Sequence, residues 1–196
     1  MTDLPETASQ TAGPYVHIGC TPNFAGIDGV YPEDLGARMI TGDAAGERIT
    51  LTGQILDGTG TPLRDAMIEA WQPDAAGRFA GQEGADPHVT GFGRCPCDAT
   101  DGTYRFETVK PGPVAWPLGG MQAPHVTLWI VARGINLGLH TRAYFADATE
   151  NDSDPVLGRI EHRSRVKTLL AQPEGGGVYR FNIHLQGPEE TIFFDV

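Results

Sequence analysis

Thr103-Tyr-Arg-Phe-Glu-Thr-Val109, closed by Lys110-Pro-Gly-Pro113, is the stretch on which the fold turns. It alternates with period two and stops at a proline-glycine cluster, the pattern of a half-buried strand followed by a turn. Just before it, Asp98-Ala-Thr-Asp-Gly102 reads as a strand-preceding turn and lacks the later bidentate Glu of a calcium loop. Working outward, Arg48-Ile-Thr-Leu-Thr-Gly-Gln-Ile-Leu56 alternates in the same way and ends at Asp57-Gly-Thr-Gly-Thr-Pro62. Ala66-Met-Ile-Glu-Ala-Trp-Gln72 follows, and the two segments read as a hairpin pair. His125-Val-Thr-Leu-Trp-Ile-Val-Ala-Arg133 is the most hydrophobic strand and is expected at the centre of a sheet. His140–Phe145, Gly177–Leu185 and Thr191–Asp195 complete the set of strands. Helical pattern is scarce. Asp154–Glu161, with Asp154 as N-cap and Pro155 in the first turn, and Arg165–Leu170 are each expected to form a short helix. The prediction is an all-β chain: an antiparallel β-sandwich with an irregular N-terminal arm and one or two short helices. The arm spans residues 1–46 and the sandwich domain 47–196. Tyr15, Phe24 and Tyr31 make the arm a segment expected to pack on a partner chain.

Composition removes several classes of function. The 196 residues carry 14 basic against 25 acidic side chains, a net charge of −11. Such a balance excludes a basic stripe for nucleic acid and attraction to anionic membrane surfaces. Apart from Lys110 and Lys167, every basic residue is Arg, the cation suited to fixed planar contacts with carboxylates. Cys20, Cys95 and Cys97 form no even disulfide framework, and Cys95-Pro-Cys97 lacks zinc-knuckle spacing, so reduced thiols are expected. The N-terminal stretch has no basic n-region or apolar h-region, and the longest apolar run, Val126–Ala132, is too short for a bilayer. A soluble, cytoplasmic protein is the expectation.

Self-contained catalytic motifs are missing from the sequence. His17, His88, His125, His140, His162 and His184 include no pair at strand (i, i+2) or helix (i, i+4) ligand spacing. There is no Gly-x-Ser-x-Gly, no P-loop and no dinucleotide Gly-x-Gly-x-x-Gly after a strand.

Several segments taken together resemble the intradiol ring-cleaving dioxygenases. They are Gly53-Gln-Ile-Leu-Asp-Gly58, Ile68-Glu-Ala-Trp-Gln72, Asp74-Ala-Ala-Gly-Arg-Phe79, Phe92-Gly-Arg94, Asp101-Gly-Thr-Tyr-Arg-Phe106, Thr108-Val-Lys-Pro-Gly-Pro113 and Ala123-Pro-His125. The match runs in order through nearly the whole chain. The resemblance implies a non-haem ferric site with two tyrosinates and two histidines, hard phenolates favouring Fe(III). In the iron-bearing chains of the family the tyrosines follow Gly-Arg and Lys-Pro-Gly-Pro, places held here by Phe79 and Val114. The histidines form His-x-His, which reads here His125-Val126-Thr127. Phe79, Val114, His125 and Thr127 are therefore degenerate ligand positions, and no metal is expected on this chain. The resemblance implies the iron-free member of a two-chain enzyme, with Fe(III) held by a homologous beta partner in a larger hetero-oligomer. In such chains the N-terminal Gly-Pro and an arginine reach the partner's pocket for a carboxylated catechol. Those positions are Gly13, Pro14 and Arg133, with Tyr15 adjacent. Asp101–Gly112 also resembles transthyretin-like and adhesin domains, which makes a non-enzymatic β-sandwich interaction module the alternative. A self-sufficient catechol or hydroxyquinol dioxygenase is disfavoured by the absent tyrosines.

Overall fold

In the computed structural model, residues 10–136 and 138–195 are described. The chain passes through a short helix α1 (Pro14–Cys20) and strands β1 (Arg48–Leu56), β2 (Met67–Trp71), β3 (Phe92–Pro96) and β4 (Thr103–Val109). It continues through β5 (Val114–Ala115), β6 (Met121–Gln122), β7 (His125–Val131) and β8 (Leu139–Phe145). Three 3-10 turns (Thr149–Ser153, Leu157–Arg159 and Arg163–Leu169) then lead to β9 (Leu170–Gly175), β10 (Val178–Arg180) and β11 (Ile183–His184). The alternation of Thr103–Val109 is realised as expected: Tyr104 and Phe106 are buried while Arg105 and Glu107 are exposed.

Nine strands form one sheet along the path β4-β1-β10-β9-β8-β7-β2-β3, with β11 beside the end of β1. The end strands meet where Arg105 N donates to Cys95 Sγ at 3.4 Å, so the sheet is nearly closed and barrel-like. The all-β expectation holds, but the sheet is mixed: β1 runs parallel to β10 and β11, and β8 parallel to β9. Period-two patterning marks a strand without fixing the direction of its neighbour. Parallel neighbours need a long crossover, which here is the segment 146–169 between β8 and β9.

Other expectations are corrected in detail. β1 and β2 are not a hairpin: β1 pairs with β4, and β2 lies between β3 and β7. The turn after β1 is closed locally, with Asp57 Oδ1 accepting from Thr59 N (2.8 Å) and Thr61 N (2.9 Å), and the chain then leaves β1. Gly177–Leu185 is not one strand, because the chain bends between β10 and β11, where Phe181 N donates to Thr52 O (2.8 Å). That close approach needs Gly53, since a Cβ there would stand 2.0 Å from Phe181 O. Thr191–Asp195 makes only the single bridge His140↔Phe194. The two expected helices are 3-10 turns, and the second runs directly into β9. The N-cap of the first is Val156 rather than Asp154, but Asp154 Oδ1 still braces the turn from before it, accepting from Val156 N (2.8 Å) and Leu157 N (2.7 Å). Helix α1 was not expected; Pro14 starts it and none of its residues is buried, so it leaves no apolar stripe to read.

Two apolar layers share β7 and β8. Val126, Leu128, Ile130, Ala143 and Phe145 face the interior of the barrel with Leu51, Ile68, Tyr104 and Phe106. The opposite face of β8 carries Tyr144, which packs with Leu157, Leu169, Ile192 and Phe194 in a second cluster. Met39 is buried in the first layer, so the chain before β1 already contributes to the main core. The three cysteines are free thiols, and burial pushes the Cys97 thiol up to about 12. Among the described residues no helix is long and apolar enough to cross a membrane.

Candidate functional site

Gly13, Pro14 and Arg133 are far apart in sequence, yet all three line one cavity of about 410 Å³, with His17, Phe24 and Asp65. Thr11 holds the arm to the turn after β7: its Oγ1 donates to Ala132 O (3.3 Å) and accepts from Gly134 N (2.8 Å). Gly134 has φ +91°, a turn conformation that projects Arg133 from the strand end. The His17 ring Nε2 lies 3.1 Å from Asp65 O, which ties α1 to the same rim. Arg133 Nε stands 3.3 Å from Asp65 Oδ2, with 79% of its side chain exposed. An exposed pair of this kind holds an arginine loosely and leaves most of its donors free. Tyr15 does not line the cavity and is 85% exposed. Ile18, Phe24, Val30, Tyr31 and Leu35 of the same segment are also exposed, apolar side chains left without a covering in this chain.

Phe79, Val114, His125 and Thr127 lie in two neighbouring regions. The turn leading to Phe79 is built on buried Asp74, whose Oδ1 accepts from Ala76 N and Arg78 N, each at 2.9 Å. It packs on the segment before Val114: Gly77 has φ +79°, and a Cβ there would lie 2.1 Å from Pro113 O. The Phe79 side chain remains largely exposed, whereas Val114 is buried opposite Gln122 in the β5–β6 pair. His125 and Thr127 are two apart on β7, opposite Tyr144 and Arg142 of β8 respectively. Residues directly opposite in an antiparallel pair share a face. His125 and Tyr144 stack with ring centroids 5.1 Å apart.

A guanidinium sits among these side chains. Arg142 Nη1 donates to Gln122 Oε1 (2.8 Å) and Tyr144 Oη (3.2 Å). His125 Nδ1 lies 2.7 Å from Ala123 O, which can only accept, so Nδ1 carries the proton. Burial, and secondarily the Arg142 charge, push the His125 imidazole down to about 4, so the ring is neutral near pH 7. Burial pushes the Tyr144 phenol up to about 12. This donor set does not fit ferric iron. Phe79 and Val114 offer no donor atom, Thr127 offers a neutral hydroxyl, and the single imidazole has a fixed cation beside it. Among the described residues no group of three or more His, Cys, Asp or Glu is placed to hold a metal ion.

Two participants were not singled out from the sequence. Gln122 and Arg142 are ordinary residue types; the β7–β8 register sets Arg142 opposite Thr127, and Gln122, at the end of β6, meets its guanidinium. The available signal was His140-x-Arg142-x-Tyr144, three polar or half-polar side chains on one face of a strand. Asp154 was read as a helix cap but also accepts from Ala123 N (2.7 Å), fixing the turn into His125.

Comparison with known proteins agrees with this architecture. Residues 21–187 match the family model described as Dioxygenase. The protocatechuate 3,4-dioxygenase alpha chain of Pseudomonas putida is 44% identical over 98% of this chain and 97% of its own length. The protocatechuate 3,4-dioxygenase beta chain of Burkholderia cepacia is 34% identical over 76% of this chain and 69% of its own. Hydroxyquinol 1,2-dioxygenase from Pseudomonas putida DLL-E4 shares the fold at TM-score 0.60 and 22% identity, covering 76% of this chain and 59% of that one. Nothing in these likenesses favours a transthyretin-like interaction module. With both the architecture and the similarity to an alpha chain running essentially end to end, this chain belongs to the intradiol ring-cleaving dioxygenase family.

Proposed function

We propose that this chain is the alpha subunit of a protocatechuate 3,4-dioxygenase whose ferric ion is held by a homologous beta subunit. The observation that carries the reading is a single imidazole where four ligands are needed, in a chain that matches an alpha chain over 97% of that chain's length. Similarity to both an alpha and a beta chain supports an αβ protomer; we place it within a larger cytoplasmic hetero-oligomer. In this reading Fe(III), held by the partner, would supply the activation by which 3,4-dihydroxybenzoate is cleaved with O₂ to 3-carboxy-cis,cis-muconate. This chain's residues bind, orient and exclude water. The arm, residues 1–46, packs on the partner through its exposed apolar side chains, Tyr15 among them. Gly13 and Pro14 present backbone without bulk at the substrate rim. Arg133 donates a fork of hydrogen bonds to the substrate carboxylate, exchanging its loose contact with Asp65 for a charge-assisted one.

The distribution of iron tests the assignment. Expressed alone, the chain should contain well under one iron per chain and lack the visible tyrosinate-to-iron band. Co-expressed with a homologous chain bearing Gly-Arg-Tyr, Pro-Gly-Pro-Tyr and His-x-His, it should copurify as a coloured complex. One tightly bound iron in the isolated chain, with that band, would overturn the proposal. In the complex, Arg133→Ala should raise KM for protocatechuate about tenfold, the loss of a hydrogen bond to a charged group. Iron content and Tm should stay level, because the Arg133–Asp65 pair is exposed. Unchanged kinetics would remove Arg133 from the pocket.

A further inference from the structure

We infer that Asp65 is a specificity-determining residue, whose carboxylate competes with the bound acid for Arg133 and weakens the product more than the substrate. The inference rests on the reading of the arm cavity as the substrate rim. That cavity is walled mainly by apolar or small residues, and its charged members are Arg133 and Asp65. Asp65 is fixed from behind. Its backbone O lies 3.1 Å from His17 Nε2, and the other ring nitrogen lies 3.3 Å from Oγ1 of the buried Thr21. Its Oδ2 reaches forward to Arg133 Nε at 3.3 Å, with 42% of the Asp65 side chain exposed. The carboxylate therefore stands at the rim, where a ligand arrives.

Two effects of Asp65 on a ligand oppose each other. By contacting Nε it orients the guanidinium, but an exposed pair with one contact does so weakly. By its charge it cancels much of the field of Arg133 and repels any acid bound there, whatever the orientation of the arginine. The second effect grows with the charge of the ligand and the first does not. Protocatechuate brings one carboxylate. Cleavage between its hydroxyl-bearing carbons turns each of them into a carboxylate, so the product carries three. A fixed anion at the rim thus loosens the product more than the substrate, which favours turnover wherever release limits the rate.

Asp65→Asn in the αβ complex isolates the charge, since the amide keeps the shape, the backbone O that faces His17 and an acceptor for Arg133. Protocatechuate, titrated without O₂ so that no turnover occurs, should bind about twofold more tightly. The inhibition constant of the product, 3-carboxy-cis,cis-muconate, should fall at least about fivefold, three charges being relieved instead of one. Both gains should shrink in about 0.5 M salt, as expected of an exposed charge. Asp65→Glu, which restores the charge, should return both constants to within about twofold of the native values. Product inhibition that is unchanged or weakened by Asp65→Asn would overturn the inference, as would equal tightening of substrate and product. Arg133→Ala separates this result from the reading beneath it. A level KM in that variant removes the cavity from the substrate site. A raised KM there, with product inhibition indifferent to Asp65→Asn, overturns the role of Asp65 alone.

Discussion

Asp154→Ala should lower the free energy of unfolding by about 3 kcal/mol, since one buried carboxylate accepts three backbone N–H groups. Oδ2 takes Ala123 N at 2.7 Å, while Oδ1 takes Val156 N at 2.8 Å and Leu157 N at 2.7 Å. The alanine leaves those donors in a cluster that contains Ala123, Tyr144 and Leu157. Burying unpaired amide groups is the larger part of the penalty. Asp154→Asn keeps one acceptor oxygen and should cost roughly half as much, because either the Ala123 bond or the turn bonds can survive. Urea unfolding monitored by tryptophan fluorescence measures both, with the midpoint moving and the slope constant. A loss under about 1 kcal/mol for the alanine variant would mean that the cluster does not depend on this carboxylate.

Asp154 joins a contact that local sequence encodes to one that only the fold creates. Its local bonds to Val156 N and Leu157 N were legible because Asp followed by Pro is a turn signal, and local hydrogen bonds are what sequence encodes most directly. Its bond to Ala123, thirty-one positions away, has no local signature. The strands divide along the same line. β4 and β7 were legible because their burial alternates, Tyr104 and Phe106 in one and Val126, Leu128 and Ile130 in the other. β3 escaped notice because Phe-Gly-Arg-Cys-Pro does not alternate, and β9 because Leu-Ala-Gln-Pro-Glu-Gly is mostly exposed and holds Pro173. Neighbour identity in the barrel is a matter of long-range pairing, which is why β1 and β2, consecutive in sequence, lie apart in the sheet.

The arm cavity was legible through family resemblance alone. Nothing in the composition places Gly13 and Pro14 beside Arg133; Thr11, bridging Ala132 and Gly134, does so. The degenerate centre was legible as a set of missing donors at Phe79, Val114 and Thr127. What stands among them was not. The Gln122–Arg142–Tyr144 network supplies the polar partners that the remaining imidazole region needs and fixes a positive charge there. The polar side chains that remain there are joined in a hydrogen-bond network, consistent with the strong penalty for half-satisfied buried polar groups.

His125, buried beside that network, contributes to the pH dependence of folding. The His125 imidazole is held neutral, down to about 4 against an ordinary value of 6.5, chiefly by burial and then by Arg142. Below pH 6.5 the unfolded chain takes up a proton that the native ring refuses until about pH 4. Over that window the unfolded state binds more protons, so this residue makes stability fall as the pH falls. At about 1.4 kcal/mol per pH unit, the full interval is worth about 3 kcal/mol, fully present above pH 6.5 and gone below pH 4. His125→Gln isolates the contribution, since its amide can still donate to Ala123 O and never titrates. At pH 7.5 the variant should be less stable than the native chain, through lost stacking on Tyr144. Between pH 6.5 and pH 4 that difference should shrink by about 3 kcal/mol. Arg142→Gln should raise the imidazole toward its ordinary value and narrow the window from below, because the neighbouring cation is the second cause of the shift. Urea midpoints measured in half-unit pH steps, with Tyr144 and the second cluster left intact, separate these outcomes. Native and His125→Gln curves offset by a constant amount at every pH would show that the ring titrates alike in both states. In that case its burial beneath β8 would have no part in acid lability.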